Sequence, residues 1–218
     1  MKHKYDALLA EFSDVFTWEY SDLKVYDKSV IQHTIPIKPN QNPFHQNLRR
    51  INQKLLPSIE KEVNILYNVG IIVPLRFSKW MSNLVPFQKK TGEIQFYIDF
   101  QNMNNISLKD NYPLPKIDHI LQRMVGSTRM SLLKCYSTYN QILVHPDDQV
   151  QTTFTTPWGT FMYAKMPFGL KDGRATFKKV MEITFTNEND VFLVIYLDDV
   201  TIFSQTDEDH LHHLRIFL

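Results

Sequence analysis

Two adjacent carboxylates, Asp198 and Asp199, sit in the middle of an apolar stretch, VFLVIYLDDVTIFS (191–204). Like charges side by side repel, and flanks this apolar favour burial, so a bound divalent cation would resolve the conflict. Carboxylate oxygens are the hard ligands that Mg²⁺ prefers. The flanking runs read as two β-strands, which places Tyr196-Leu197-Asp198-Asp199 at a hairpin tip. The bland alternative is a solvated turn, where aspartate is common. A bare Asp-Asp pair says little by itself, so the surrounding elements decide its meaning.

Those elements follow from periodicity and turn chemistry. A short amphipathic helix fits 5–17, and residues 28–57, rich in Pro, Asn and Gln, read as an extended arm. Ser58 can cap a helix over 59–69 with Ile59, Val63 and Leu66 on one face and Gly70 at its end. Strand-like runs at 84–89 and 94–99, joined around Thr91-Gly92, form a hairpin carrying Lys89 and Lys90. Tyr112-Pro113-Leu114-Pro115 is a stiff connector into a helix over 116–125, stopped by Gly126. Strands are expected at 130–136, 140–144, 151–156 and 160–165, with Pro157-Trp158-Gly159 turning between the last two. Residues 174–186 read as helix. A final amphipathic helix starts near Asp207, with Leu211, Leu214 and Leu218 at helical spacing. It lacks a C-terminal cap, so the sequence reads as a fragment of something longer.

Composition bounds the function classes. The 218 residues are 43% hydrophobic and 22% charged, enough for one large domain or two small ones. A net charge of +1 neither marks nor excludes a nucleic-acid partner, which needs only a local basic track. Gln46-Asn47-Leu48-Arg49-Arg50 is one such track, or a plain surface arm. The single cysteine, Cys135, excludes an intramolecular disulfide framework and fits a reducing compartment. The N-terminus has no apolar signal-peptide core, and no run is long enough to span a bilayer, so no membrane partner is expected. The expected setting is intracellular, with cytoplasm and nucleus both open. His210 and His213 are one turn apart beside Asp207, His212 and Asp209, a spacing that can hold a metal. A solvated helix face is the preferred reading of that cluster.

The motifs acquire specificity from their order. Val85-Pro86 with Lys89-Lys90 and Gly92 comes first, then Ile98-Asp99-Phe100 and Tyr112-Pro113-Leu114-Pro115 with Ile117-Asp118. Ser137 with Tyr139-Asn140-Gln141-Ile142, then Thr155-Thr156-Pro157-Trp158-Gly159-Thr160-Phe161, follow. Met166-Pro167-Phe168-Gly169-Leu170-Lys171 and Tyr196-Leu197-Asp198-Asp199 complete the series. The series resembles the fingers and palm of a reverse transcriptase from a gypsy-type LTR retrotransposon, of the kind abundant in plants. The resemblance implies an α+β fold of the right-hand polymerase class. Residues 1–57 would be an N-terminal arm. Fingers would come from about 58–115 and 145–168, and the rest of 58–218 would be a palm with a βαββαβ antiparallel sheet on helices. Thumb, connection and RNase H regions would lie outside the chain.

The activity so implied is RNA-directed DNA polymerisation, adding dNTPs to a primer on an RNA or DNA template with two Mg²⁺ or Mn²⁺ ions. Asp198 and Asp199 would be catalytic metal ligands, with Tyr196 and Leu197 in the same turn beside the substrate. Tyr139 matches the aromatic beneath the nucleotide sugar that crowds a ribose 2′-hydroxyl, against the alternative of a core tyrosine. Phe168 and Gly169 match the turn that contacts the incoming nucleotide, and Lys89 or Lys90 would reach its phosphates.

Several positions depart from the family pattern. The third metal-binding carboxylate aligns with Lys134, which changes the formal charge of the set from −3 to −1. An ammonium there repels Mg²⁺ and can pair with Asp198 in the metal's place. Thr138 stands where glycine is usual, Gln95 and Gln101 where arginine is frequent, and Asp172-Gly173 where Asn-Ala is usual. The resemblance therefore implies an impaired, degenerate copy. The alternatives are a catalytically inactive nucleic-acid-binding relic and a relic that folds poorly.

Overall fold

The computed structural model describes residues 2–90, 92, 94–114, 116–196 and 199–218. The first half of the chain runs through α1 (Lys2–Glu11), α2 (Leu56–Asn68), β1 (Ile72–Pro74), β2 (Ser82–Gln88), β3 (Ile94–Ile98) and α3 (Gln101–Ile106). Then come α4 (Ile117–Arg123), β4 (Arg129–Lys134), α5 (Pro146–Gln149), β5 (Phe154–Thr156) and β6 (Gly159–Tyr163). The chain closes with α6 (Gly173–Thr184), β7 (Leu193–Tyr196), β8 (Asp199–Ser204) and α7 (Asp207–Phe217). These elements form two compact units, one from residues 1–22, 111–138 and 174–218, the other from 23–110 and 139–173. None of the described helices is long and apolar enough to cross a membrane.

The first unit is built on an antiparallel sheet of order β4-β8-β7. Leu193, Val194 and Ile195 are all buried, which is why this strand reads as a continuous apolar run rather than an alternating one. Ile120 of α4 packs against Val194 and Phe203, with Met124 and Tyr196 flanking them. Thr206 caps α7 by accepting the Asp209 N–H at 3.1 Å. Acids fill the first turn of that helix and Arg215 its last, both in the sense the helix dipole favours. The order β4, α6, β7, β8, α7 gives the first five elements of the expected βαββαβ series, and the sheet has three strands among the described residues.

The second unit carries a five-stranded sheet of order β1-β6-β5-β2-β3, antiparallel except where β2 meets β5. Phe154 is fully buried at its centre, with ring centroids of Phe96, Phe161 and Tyr163 at 6.3, 6.0 and 5.4 Å. Ile59, Val63 and Leu66 of α2 are buried as their spacing predicts. The segment 23–57 belongs to this unit through single backbone tethers. Tyr26 donates to Gln141 O at 2.9 Å, His33 to Leu143 O at 2.8 Å, Lys38 to Ile106 O at 2.9 Å and Gln46 to Met81 O at 2.9 Å.

Four local expectations are revised. Residues 140–144 are not a strand. A 3-10 turn spans Thr138–Gln141, and Leu143 and Val144 make only isolated bridges to Lys165 and His33. Pairing with an irregular arm supplies backbone partners without a ladder. Ser58 does not cap α2, which starts at Leu56 after a 3-10 turn in which Asn52 Oδ1 accepts the Lys54 N–H at 3.0 Å. Pro57 sits in that first turn, where its missing N–H costs nothing. The N-terminal helix stops at Glu11. Helix α3 was hidden by its asparagines, which are poor helix formers. It is fixed instead by Asp99 Oδ1 accepting the Gln101 N–H at 3.2 Å and by the buried Met103.

Candidate active site

In the first unit the register places the chemistry in one row. Lys134 on β4 is the Cα partner of Asp199 on β8, and Asp199 is the partner of Tyr196 on β7. Directly opposed residues project from the same face, with Cβ atoms typically about 4.5–5.5 Å apart. The hairpin tip expected at Leu197 and Asp198 lies outside the described residues. Lys134 and Asp199 are exposed, and Tyr196 is half-buried beside the Ile120–Val194–Phe203 cluster. The expected partner of Lys134 was Asp198; the register sets Asp199 opposite it.

The second unit holds the other expected substrate residues. Tyr139 is 6% exposed, and its ring meets Phe168 edge-on with centroids 4.6 Å apart at 88°. Phe168 is 53% exposed, so one aromatic is pinned in the core and presents its neighbour to solvent. Gly169 has φ +95°, a conformation that side chains rarely adopt. Asn104 locks this turn from both sides: its Nδ2 donates to Gly169 O at 2.8 Å, and its Oδ1 accepts the Lys171 N–H at 2.8 Å. Lys171 Nζ returns a bond to Asn104 O at 3.1 Å. Sequence reasoning missed Asn104, because only the phase of α3 distinguishes it from Asn102 and Asn105.

Lys89 and Lys90 lie just beyond β2, Lys89 half-buried and Lys90 exposed. Gly92 donates to Lys89 O at 2.9 Å with φ +87°, which closes the turn expected there; Thr91 lies outside the described residues. Gln95 pairs with Phe87 across the hairpin.

Several polar side chains of the chain hold local structure. Arg49 Nη2 donates to Asp99 Oδ2 at 2.7 Å, and so neutralises a carboxylate that is only 10% exposed. A cavity of about 460 Å³ opens beside it, lined by Arg49, Arg50, Asn83 and Thr156. Asp148 accepts the Ile35 N–H at 2.9 Å and Gln151 Nε2 at 3.0 Å, which spends it on the arm. Thr138, where glycine is usual, is buried, and its hydroxyl donates to Cys135 O at 2.9 Å.

The histidines of α7 are not a solvated face. His210 is 3% exposed and bridges Ser131 Oγ at 2.8 Å and Ser204 Oγ at 3.0 Å. His213 shares Ser204 Oγ at 2.8 Å and stacks on Phe192 at 4.1 Å, while His212 is exposed. Burial, and for His210 also the neighbouring His213, pushes both imidazoles below the usual histidine range. They pin α7 to β4 and β8. Among the described residues no group of three or more His, Cys, Asp or Glu side chains could hold a metal ion.

A three-stranded antiparallel sheet with Tyr196 and Asp199 paired at its strand ends, within the sequence Tyr-Leu-Asp-Asp, fits the palm of the reverse transcriptase class. The family described as reverse transcriptase (RNA-dependent DNA polymerase) matches residues 87–218, and the chain belongs to it. An RNA-directed DNA polymerase homolog of Oenothera berteroana is 33% identical over 126 residues, 56% of this chain and 89% of that protein. The retrovirus-related Pol polyprotein from transposon 297 of Drosophila melanogaster is 26% identical over 218 residues, 98% of this chain and 20% of that polyprotein. A foamy viral protease-reverse transcriptase in complex with an RNA/DNA hybrid superposes with a TM-score of 0.86 at 20% identity, over 99% of this chain and 28% of that one. The chain is thus a reverse transcriptase domain of the retrotransposon and retroviral polyprotein type, with an α+β fingers-and-palm fold. It spans 16% of the Pol polyprotein from transposon gypsy of Drosophila melanogaster and 28% of an enzymatic polyprotein of cauliflower mosaic virus.

Proposed function

We propose that this chain is an RNA-directed DNA polymerase domain by descent whose chemical step is impaired at Lys134. The observation that carries the reading is the register pairing of Lys134 with Asp199. Fingers would come from about 58–115 and 145–168, and the palm from the remainder of 58–218. Template with primer and dNTPs would be the partners, a reading supported by the relative that is complexed with an RNA/DNA hybrid.

Within that reading, the Phe168–Gly169 turn contacts the incoming nucleotide, Tyr139 lies under its sugar and disfavours ribonucleotides, and Lys89 or Lys90 meets its phosphates. Tyr196 and Leu197 flank Asp198 and Asp199 in the catalytic turn. The family's two divalent ions require an anionic oxygen cluster. The described donor set does not fit them, because the residue paired with Asp199 across the sheet is a lysine rather than a carboxylate. Exposure of both groups makes their mutual attraction a weak contributor to stability, so the lysine acts on the site rather than on the fold.

The test is single-nucleotide primer extension on an RNA template with Mg²⁺ and with Mn²⁺. Lys134→Asp should extend, while the unaltered chain and Lys134→Asp/Asp199→Asn should not. Extension by the unaltered chain would overturn the impairment. If no variant extends but primer–template still binds with a steep salt dependence, the non-catalytic nucleic-acid-binding reading takes over.

A further inference from the structure

Between β1 and β2 the sequence reads Arg76-Phe77-Ser78-Lys79-Trp80, two cations interleaved with two aromatics. Phe77 is 78% exposed, an unusual position for a large apolar ring. Its neighbour Arg76 holds its guanidinium carbon 5.1 Å from the ring centroid. The loop is braced. Ser78 Oγ accepts the Trp80 N–H at 3.0 Å, Trp80 packs edge-on to Phe44 at 5.5 Å, and Leu75 donates to Thr160 O at 2.9 Å. A cavity of about 560 Å³ opens here, with Arg76, Phe77, Lys79, Trp80, Val150 and Thr160 among its lining, and among the described residues no carboxylate lines it.

We infer that this loop is a stacking platform for single-stranded nucleic acid, separate from the candidate active site. An exposed ring offers a face to an unpaired base, and such stacking tolerates any sequence because every base has a π-face. Arg76 and Lys79 flank Phe77 in the sequence and line the same cavity, where they act as counterions for the phosphates next to a stacked base. A duplex would not fit this role, since its bases are already stacked on one another. The acid-free lining favours a polyanion over a protein surface of mixed charge. Ser78 and the Phe44–Trp80 contact fix the loop in advance, so little ordering is needed on binding. The inference does not rest on polymerase activity.

The experiment is fluorescence anisotropy with labelled oligothymidylate and oligouridylate of about twelve nucleotides, across a salt series. Phe77→Ala should weaken binding by about fivefold to a hundredfold. Phe77→Tyr should retain affinity, which separates stacking from bulk. Arg76→Gln with Lys79→Gln should reduce the slope of log affinity against log salt by about 1.4. Melting curves should be unchanged in all variants, because Phe77, Arg76 and Lys79 are exposed. The inference is overturned if the unaltered chain binds neither oligonucleotide, or if every variant binds with the same affinity and slope. A Phe77→Ala effect on sedimentation with oligonucleotide binding unchanged would also overturn it, by making the surface a contact between copies of the chain.

Discussion

In the first unit Tyr196, Asp199 and Lys134 share one row of a sheet, and one of the three carries the wrong charge for a cation site. In the second, Tyr139, Phe168 and Gly169 are held by an edge-on ring contact, a left-handed glycine and a two-way clamp from Asn104. Both regions carry motifs of one family, but different forces maintain them. The Phe168–Gly169 turn is tied to the buried Tyr139 ring and to surface hydrogen bonds from Asn104, so its shape depends on packing as well as on polar contacts. The Asp199–Lys134 row is exposed, so its charges contribute little to folding. In the proposed reading a lysine at position 134 therefore costs the chemistry and leaves the scaffold intact.

Four substitutions or titrations sharpen the contrast. The largest effect belongs to Lys134. Lys134→Asp should raise single-nucleotide extension by about 10³-fold, on the scale of losing or gaining a preorganised electrostatic partner at a reacting centre. Lys134→Ala should recover only part of that gain, since it removes the repulsion without supplying a ligand.

Next is His33 in the second unit, which is 2% exposed and whose pKa burial lowers to about 4. The unfolded imidazole takes up its proton first, near its ordinary value of 6.5, so stability is complete above that pH and falls as pH drops toward 4. The loss should reach about 3 kcal/mol across that window. Hydrogen exchange at pH 7 and pH 4.5 should show the second unit loosening more than the first, where His210 and His213 shift in the same direction. His33→Gln should flatten the difference.

Asn104→Ala, placed in the Lys134→Asp background, removes two bonds from the nucleotide turn and should cost about 1–2 kcal/mol of nucleotide recognition. Steady-state kinetics should report it as a raised KM for dNTP with kcat less affected, and faster exchange of the Lys171 amide should report it even in an inactive chain. The smallest effect is at Gly173. Its φ is ordinary, and an added Cβ would meet Met166 Sδ and the Tyr139 ring at 3.8 Å. Gly173→Ala should stabilise the second unit by about 0.5–1 kcal/mol in urea melts, by filling that space and restoring helix propensity.

The sequence made the fold largely legible because long-range order was encoded locally. The continuous apolar run of β7, the hairpin turn at Gly92 and the start of the last helix near Asp207 each announce themselves over a few residues. What stayed hidden was set by distant partners. Residues 140–144 look like a strand but pair with a meandering arm, and α3 is held by Met103 and Asp99 against its own asparagines. In the site, Lys134 was visible as a charge at the wrong position, but which aspartate faces it depends on strand register, which no local pattern fixes. Asn104 and the buried His210 gave no sign, because one asparagine among several and one histidine among three differ only in helix phase.

The claim that Lys134 stands in the metal's place is tested most directly by Mn²⁺ binding, read by electron paramagnetic resonance on the unaltered chain, Lys134→Asp and Lys134→Asp/Asp199→Asn. The account predicts that Lys134→Asp binds Mn²⁺ at least about tenfold more tightly than the unaltered chain, and that Asp199→Asn abolishes the gain. Equal Mn²⁺ affinity in the unaltered chain and in Lys134→Asp would contradict it, and would mean that the lysine leaves the carboxylate pair free to work.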